Sequence, residues 1–305
     1  MRHVFIINPA AGKQDRTEQI RAEVTEAFQS RPETPEIRVS GAPGDGIRLA
    51  REACEEGGPL RLYACGGDGT LNEVVNGAVG YPDAAVTHYP AGSGNDFIKV
   101  FHQPEAFRSL ERLLDAEEKE LDLIRCGDRV SLNICSMGFD ARIGTAISRY
   151  KRLPLVTGSG AYIISTVVNT IQGIHRPYEV EIDGVLYQGE QSLICVGNGR
   201  YYGGSFNPLP KARLDDGLLD VLLVRDVSRL TVLRVIGAYS AGRYEEFPEL
   251  IRHFRCRRVR IRCEKEEPIN LDGELLMSRD ATFSIADEKI RFFYPKGLSC
   301  DPDAT

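Results

Sequence analysis

Over its first hundred residues the chain alternates short apolar runs with longer stretches in which apolar positions recur every three or four residues. HVFIIN reads as a buried strand, TEQIRAEVTEAFQS as an amphipathic helix, EIRVS as a strand, GDGIRLAREACEEG as a helix, and LRLYACGG as a strand feeding TLNEVVNGAV. AAVTHYPAGSGNDFIKV repeats the order of strand, glycine turn and helix. This alternation predicts a parallel α/β sheet with right-handed crossovers. Ligands of such sheets bind beyond the carboxyl ends of the strands, where the glycine turns fall.

Beyond EEKELDLIRCGDR the pattern turns to strands: RVSLNICSMGFDARI, YEVEIDGVLYQGEQSLICVGNG, GLLDVLLVRDV, RRVRIRCE, PINLDGELL and ATFSIADEKIRFFYP. Asp183-Gly184 between two alternating runs predicts a hairpin. The expected organisation is therefore an α/β domain over 1–122, completed by a C-terminal strand within 286–300, and a β-rich, sandwich-like domain over 123–285. The second domain would carry helical insertions around 143–174 and 228–241, and the active site would lie in the cleft between the domains.

Composition narrows the function classes. The 305 residues are 42% hydrophobic and 27% charged, as in ordinary globular proteins, and the formal net charge of −6 argues against a protein held on nucleic acid by bulk electrostatics. The eight cysteines show no C-x-x-C or zinc-type spacing and read as reduced structural thiols. The apolar run Val4–Ile7 is too short for a signal-peptide core, and no stretch approaches the roughly 20 residues needed to cross a bilayer. The expected setting is the cytoplasm, with any membrane contact peripheral at the inner face.

The glycine turns carry the candidate chemistry. In GGDGTLNEVVNG, Gly66, Gly67 and Gly69 can present backbone N–H groups to an anion at a helix N-terminus, while Thr70 and Glu73 have the spacing of a capping box. The same stretch also reads as a plain, well-capped strand-to-helix turn. PAGSGND repeats the glycines with Ser93, Asn95 and Asp96, so two turns on neighbouring strands could hold a polyphosphate from two sides. Carboxylates such as Asp68 and Asp96 repel phosphates unless a cation intervenes, which suggests Mg²⁺. In NPAAGK, Asn8 and Gly12 could approach a nucleotide and Lys13 a phosphate. Neither a Walker A motif nor a dinucleotide fingerprint is present.

NPAAGK, GGDGTLNEVVNG, PAGSGNDF, LDL at 121–123, PLPKARLDDGLLDV and LDGE at 271–274 stand in the order found in the diacylglycerol kinase catalytic family. The chain resembles that family, which includes sphingosine and ceramide kinases, over nearly its whole length, and most closely its soluble bacterial members. The resemblance implies an ATP- and Mg²⁺-dependent lipid kinase, with Gly66, Gly67, Asp68, Gly69 and Thr70 on the ATP phosphates. Asn8, Gly12, Ser40, Glu73, Ser93, Asn95 and Lys99 would complete the nucleotide site, and Asp68, Asp96 and Asp122 would organise the active-site Mg²⁺. Asp272 matches the general base and Glu274 its acidic neighbour, although INLDGELLM alone reads as strand, turn, strand. Asp216, with the carbonyls of Arg213 and Leu218, resembles a structural Mg²⁺ site. Ser40 and Ser93 stand where many members carry Thr, and Lys99 where Arg is common; Lys keeps the charge and loses the planar fork.

Diacylglycerol is the favoured acceptor, reached by peripheral contact, with a homodimer left open. Another alcohol (a sphingoid base, phosphatidylglycerol or a small polyol) and a catalytically silent nucleotide- or lipid-binding regulator are the alternatives. GGDGT also occurs in nicotinamide-dinucleotide kinases and phosphofructokinases, but LDGE and RLDDGL fit those families less well. The five histidines show no metal spacing and read as structural or exposed, and no G-x-S-x-G elbow is present. Residues 148–168 place Arg149, Lys151 and Arg152 beside Leu153, Leu155, Tyr162 and Ile163, as peripheral lipid binding would use or as a solvated turn before a core helix would. RCRRVRIRC reads as the charged face of a strand.

Overall fold

The computed structural model describes residues 1–138, 141, 176–204 and 206–304. The segment 148–168 and the predicted insertion at 143–174 lie outside the described residues.

The first domain is built on a six-stranded sheet in the order β2-β1-β3-β4-β15-β5. Its strands are β1 (Arg2–Ile7), β2 (Glu36–Val39), β3 (Leu60–Gly66), β4 (Ala84–Pro90), β5 (Ala116–Leu121) and β15 (Ile290–Pro295). All pairings are parallel except β15 with β5, so the last strand of the chain inserts between β4 and β5. The helices are α1 (Thr17–Phe28), α2 (Asp45–Glu55), α3 (Asp68–Ala78) and the short α4 (Leu110–Leu114). Val4–Ile7 of β1 and all of β4 are buried, which is why these strands read as unbroken apolar runs rather than as alternation.

The second domain is a nine-stranded sheet among the described residues. It comprises β6 (Ile124–Cys126), β7 (Arg129–Ser131), β8 (Ile134–Gly138), β9 (Arg176–Ile182), β10 (Val185–Gly197), β11 (Leu219–Arg225), β12 (Ile251–Cys256), β13 (Arg258–Leu271) and β14 (Glu274–Ile285). β8 and β9 each pair with both β10 and β13, so the sheet closes on itself and encloses a core. The two long strands make those double pairings by shifting register, β10 between Gln191 and Leu193 and β13 between Arg262 and Glu267.

Side-chain alternation then divides the burial. Ile194, Val196, Val221 and Leu223 fill the enclosed core, while Cys195, Leu222 and Val224 pack on the opposite face under helix α5 (Arg229–Ser240). Ser228 caps α5 by accepting the Thr231 N–H. On β13, Val259 and Ile261 are buried, while Arg260 pairs with Asp280 and Arg262 with Glu179, as a charged strand face does.

Three local expectations differ. α3 begins at Asp68 on an extended Gly67, so Thr70 lies inside its first turn and does not cap it. Glu73 caps a different helix: its two carboxylate oxygens accept the Gly44 and Gly46 N–H groups, each at 2.8 Å, at the start of α2. NDFIKV forms only a 3-10 turn, Phe97–Phe101, which ends at a left-handed His102 two residues before Pro104.

Candidate active site

The carboxyl ends of β1, β3 and β4 bring three turns together. At the first, Asn8 forms a local turn by accepting the Ala10 N–H, and its amide donates to the Thr70 hydroxyl at 3.0 Å. Gly12, at φ +80°, lies where a methyl group would come within 2.5 Å of the Ala91 carbonyl. Ser40 sits at the end of β2, its N–H bonded to the Ile7 carbonyl. The second and third turns touch directly: a methyl group on Gly92 would lie 2.4 Å from the Gly67 Cα, so only glycine permits this approach. The Gly66 carbonyl receives Ala91 N–H, Gly92 N–H and the His88 ring, fixing one turn on the other. Burial holds the His88 imidazole below its ordinary pKa, with Asp68 opposing, so it donates as a neutral ring.

Between these turns and the second domain runs a cavity of about 1100 Å³. Its polar limb is lined by Asn8, Gly12, Ser40, Gly67 to Glu73, Gly92 to Gly94 and Asp96. The first turn of α3, which has no side-chain cap, lines this limb, and a helix N-terminus with open N–H groups is a site that suits anions. Its other limb is apolar, formed by Leu193 and Val224 of the sheet, Tyr202, Phe206, and Val232, Val235, Ile236 and Tyr239 of α5. Asn133, Asp272, Gly273 and Glu274 stand on the wall as well.

Asp68 and Asp96 both close on the position a Gly94 side chain would take. Asp68 Oδ1 accepts the Phe97 N–H at 3.0 Å, while Asp96 is held by Lys99 at 2.5 Å and by the Gly204 N–H at 2.7 Å. Among the described residues no group of three or more His, Cys, Asp or Glu is placed to hold a metal ion. Two carboxylates beside an anion cradle nevertheless suit Mg²⁺, which uses one or two carboxylates, several waters and substrate phosphates rather than an all-protein cage.

Asp272 occupies the turn between β13 and β14 at φ +50°. Its carboxylate accepts N–H groups from Leu132 (2.7 Å), Asn133 (3.2 Å) and Ile134 (2.9 Å) and from the Asn72 amide (3.2 Å). Burial pushes its pKa above the ordinary value and the backbone N–H groups oppose that. With about four acceptor positions on a carboxylate, these donors make Asp272 an anchor for its turn on the cavity wall. Glu274, two residues on, carries its carboxylate to the cavity beside Gly69. Partial burial lifts its pKa, the Glu73 carboxylate adds to the rise and Arg129 opposes it.

Several expected site residues do not line the cavity. Gly66, Asn95 and Lys99 brace the turns from behind, Asn95 by donating to the Gly92 carbonyl and Lys99 by pairing with Asp96. Asp122 does not line the cavity with Asp68 and Asp96: it is buried, salt-bridged to Lys289 at 2.9 Å, and accepts the Gly217 N–H at 2.6 Å. It therefore belongs with the loop carrying Arg213, Asp216 and Leu218, where Asp216 pairs with Arg255 and accepts the Leu218 N–H. The Arg213 side chain pairs with Asp301 and Asp303. Sequence reasoning missed Asn72, Asn133 and the whole apolar limb.

An α/β domain with a glycine-turn site at the ends of its strands thus faces a closed β domain across one cavity. The diacylglycerol kinase catalytic domain matches residues 2–126, and the YegS C-terminal NAD kinase beta sandwich-like domain matches residues 133–294. A probable lipid kinase YegS-like from Chromohalobacter salexigens is 33% identical over 78% of this chain and 76% of its own length. A diacylglycerol kinase from Staphylococcus carnosus is 26% identical over 96% of this chain and 95% of its own. The crystal structure of a putative diacylglycerol kinase from Bacillus anthracis superposes with a TM-score of 0.72 at 21% identity, covering 98% of both chains. The chain belongs to the lipid kinase family of YegS-like and diacylglycerol kinase-like proteins.

Proposed function

We propose that the protein transfers the γ-phosphate of ATP to the hydroxyl of a membrane lipid, with diacylglycerol the favoured acceptor and phosphatidic acid the product. The observation that carries this reading is the continuity of the cavity: one space runs from the anion cradle, past Glu274, to an apolar limb under α5. A polyol or other soluble alcohol has no use for that limb, whereas an acyl chain gains roughly 0.8 kcal/mol per buried methylene.

In this reading the backbone N–H groups at the start of α3 and the Ser93 turn hold the triphosphate, and Asn8 and Ser40 flank the nucleotide. Asp68 and Asp96 would hold Mg²⁺, which when bound neutralises phosphate charge. Glu274 takes the hydroxyl proton as the oxygen–phosphorus bond forms, and its raised pKa favours that uptake. Asp272 keeps the turn bearing Glu274 in place. None of the described helices is long and apolar enough to cross a membrane, and in this reading the lipid is reached by peripheral contact.

Transfer of labelled γ-phosphate to a panel of micellar lipids tests this, with wild type beside Glu274→Gln. Labelled phosphatidic acid from wild type, lost in the variant, is expected. Label in a different lipid would rename the acceptor. No labelled lipid, with ATP still bound, would sink the reading.

A further inference from the structure

α3 leaves the anion cradle carrying two asparagines one turn apart, Asn72 and Asn76, only 4% and 7% exposed. Asparagine is a poor helix former and its amide is costly to bury, so two of them inside one helix call for a reason. The Asn76 amide pairs with the peptide of Val130 on β7: Oδ1 accepts the Val130 N–H at 2.9 Å and Nδ2 donates to the Val130 carbonyl at 2.8 Å. A side chain thereby supplies the two-bond partnership that a neighbouring strand would give. Asn76 Nδ2 also reaches Asn72 Oδ1 at 3.1 Å, and Asn72 Nδ2 donates both to the Val130 carbonyl at 3.1 Å and to Asp272 Oδ2 at 3.2 Å.

These bonds form one chain across the two domains. It starts on the helix whose first turn faces the phosphates and passes through Val130. From there the N–H groups of residues 132–134 hold the Asp272 carboxylate, and Asp272 fixes the turn that presents Glu274. The bonds among Asn72, Asn76 and Val130 are buried, where hydrogen bonds are stiff and expensive to break, and those to Asp272 are part-buried. We infer that Asn72 and Asn76 are positioning residues that set the separation between the phosphate cradle and Glu274. The inference rests on Glu274 as proton acceptor. Misplacing reacting groups by about 1 Å costs on the order of 10²-fold in rate.

The test uses the full chain with ATP and micellar diacylglycerol, comparing wild type, Asn76→Ala, Asn76→Asp, Asn72→Ala and Glu274→Gln. Asn76→Asp keeps the acceptor for Val130 N–H but sets an oxygen against the Val130 carbonyl. Both Asn76 variants are expected to lose on the order of 10²-fold in kcat. Their KM for ATP and their ATP-dependent rise in melting temperature should match those of wild type, since the cradle itself is untouched. Asn72→Ala should lose turnover in the same way. Wild-type kcat in a folded Asn76→Ala, alongside loss in Glu274→Gln, overturns the inference and leaves the proton-acceptor reading standing. Equal loss of ATP binding and kcat also overturns it, by showing a plain structural role. Wild-type kcat in Glu274→Gln overturns the proton-acceptor reading instead, and with it what the asparagines position. Should the Asn76 variants fail to fold, amide exchange in the wild-type protein decides: Val130 N–H is expected to be protected like the core of β3, and exchange at the rate of an open loop overturns the bridge.

Discussion

Asp272 and Ile134 hold one another by two hydrogen bonds: the Asp272 carboxylate accepts the Ile134 N–H at 2.9 Å, and the Asp272 N–H donates to the Ile134 carbonyl at 3.3 Å. The aspartate that family resemblance marks as the base is thus bound into the backbone of the facing segment. Asp272→Ala should leave three backbone N–H groups unpaired and lower stability by about 3 kcal/mol or more. The midpoint of urea unfolding measures this, and a midpoint equal to wild type would contradict the anchoring role.

Glu274→Gln should behave oppositely. Its carboxylate faces the cavity, so removing its charge should cut kcat by roughly 10²- to 10⁴-fold while stability moves by no more than about 0.5 kcal/mol. Paired kcat and unfolding measurements separate the two residues; coincident losses at both positions would merge their roles.

The pH dependence has a definite sign. Burial and Glu73 raise the Glu274 pKa, so the folded protein holds this proton to higher pH than the unfolded chain. Glu274 therefore contributes stability at low pH that is lost as pH rises from its ordinary value through the raised one, while activity, which needs the carboxylate, rises over the same window. Removing the neighbouring negative charge with Glu73→Gln should move the acid limb of the kcat profile to lower pH. Glu73→Ala should also uncap α2, at about 0.5–2 kcal/mol. An acid limb that stays in place would show that Glu73 does not act on the titrating group.

The contact between the two glycine turns makes a separate prediction. Gly92→Ala would force its methyl group against the Gly67 Cα, so the turns must part and the cradle must widen. The expected result is at least a tenfold rise in KM for ATP, roughly 1.4 kcal/mol, with lipid KM unchanged. A variant with normal ATP affinity would remove the second turn from the phosphate site.

How legible this was in the sequence depended on which atoms carried the information. The strand–helix rhythm of the first domain follows from local pattern, and the glycine turns announce themselves because few other residues permit such backbone contacts. Glu73 was misread because its carboxylate crosses to another helix, a partnership no spacing rule contains. Asp122 stands in sequence beside the domain boundary and pairs in space with Lys289 and Gly217, far along the chain. The apolar limb was invisible because Val224 and Leu222 alternate with Val221 and Leu223, and both faces of that strand are buried. Apolar residues that line a cavity and those that fill a core look alike in a sequence. Asn72 and Asn76 sit in a quoted motif, yet only their buried partners show why amides are there.

The proposed function requires one cavity to take a phosphate donor at one end and an acyl chain at the other. Its most direct test is kcat/KM for a series of diacylglycerols of increasing chain length, beside glycerol, at fixed ATP and Mg²⁺. kcat/KM is expected to climb with each methylene until the apolar limb is filled, and glycerol to be a poor acceptor. Equal kcat/KM across the series, or preference for glycerol, would contradict it.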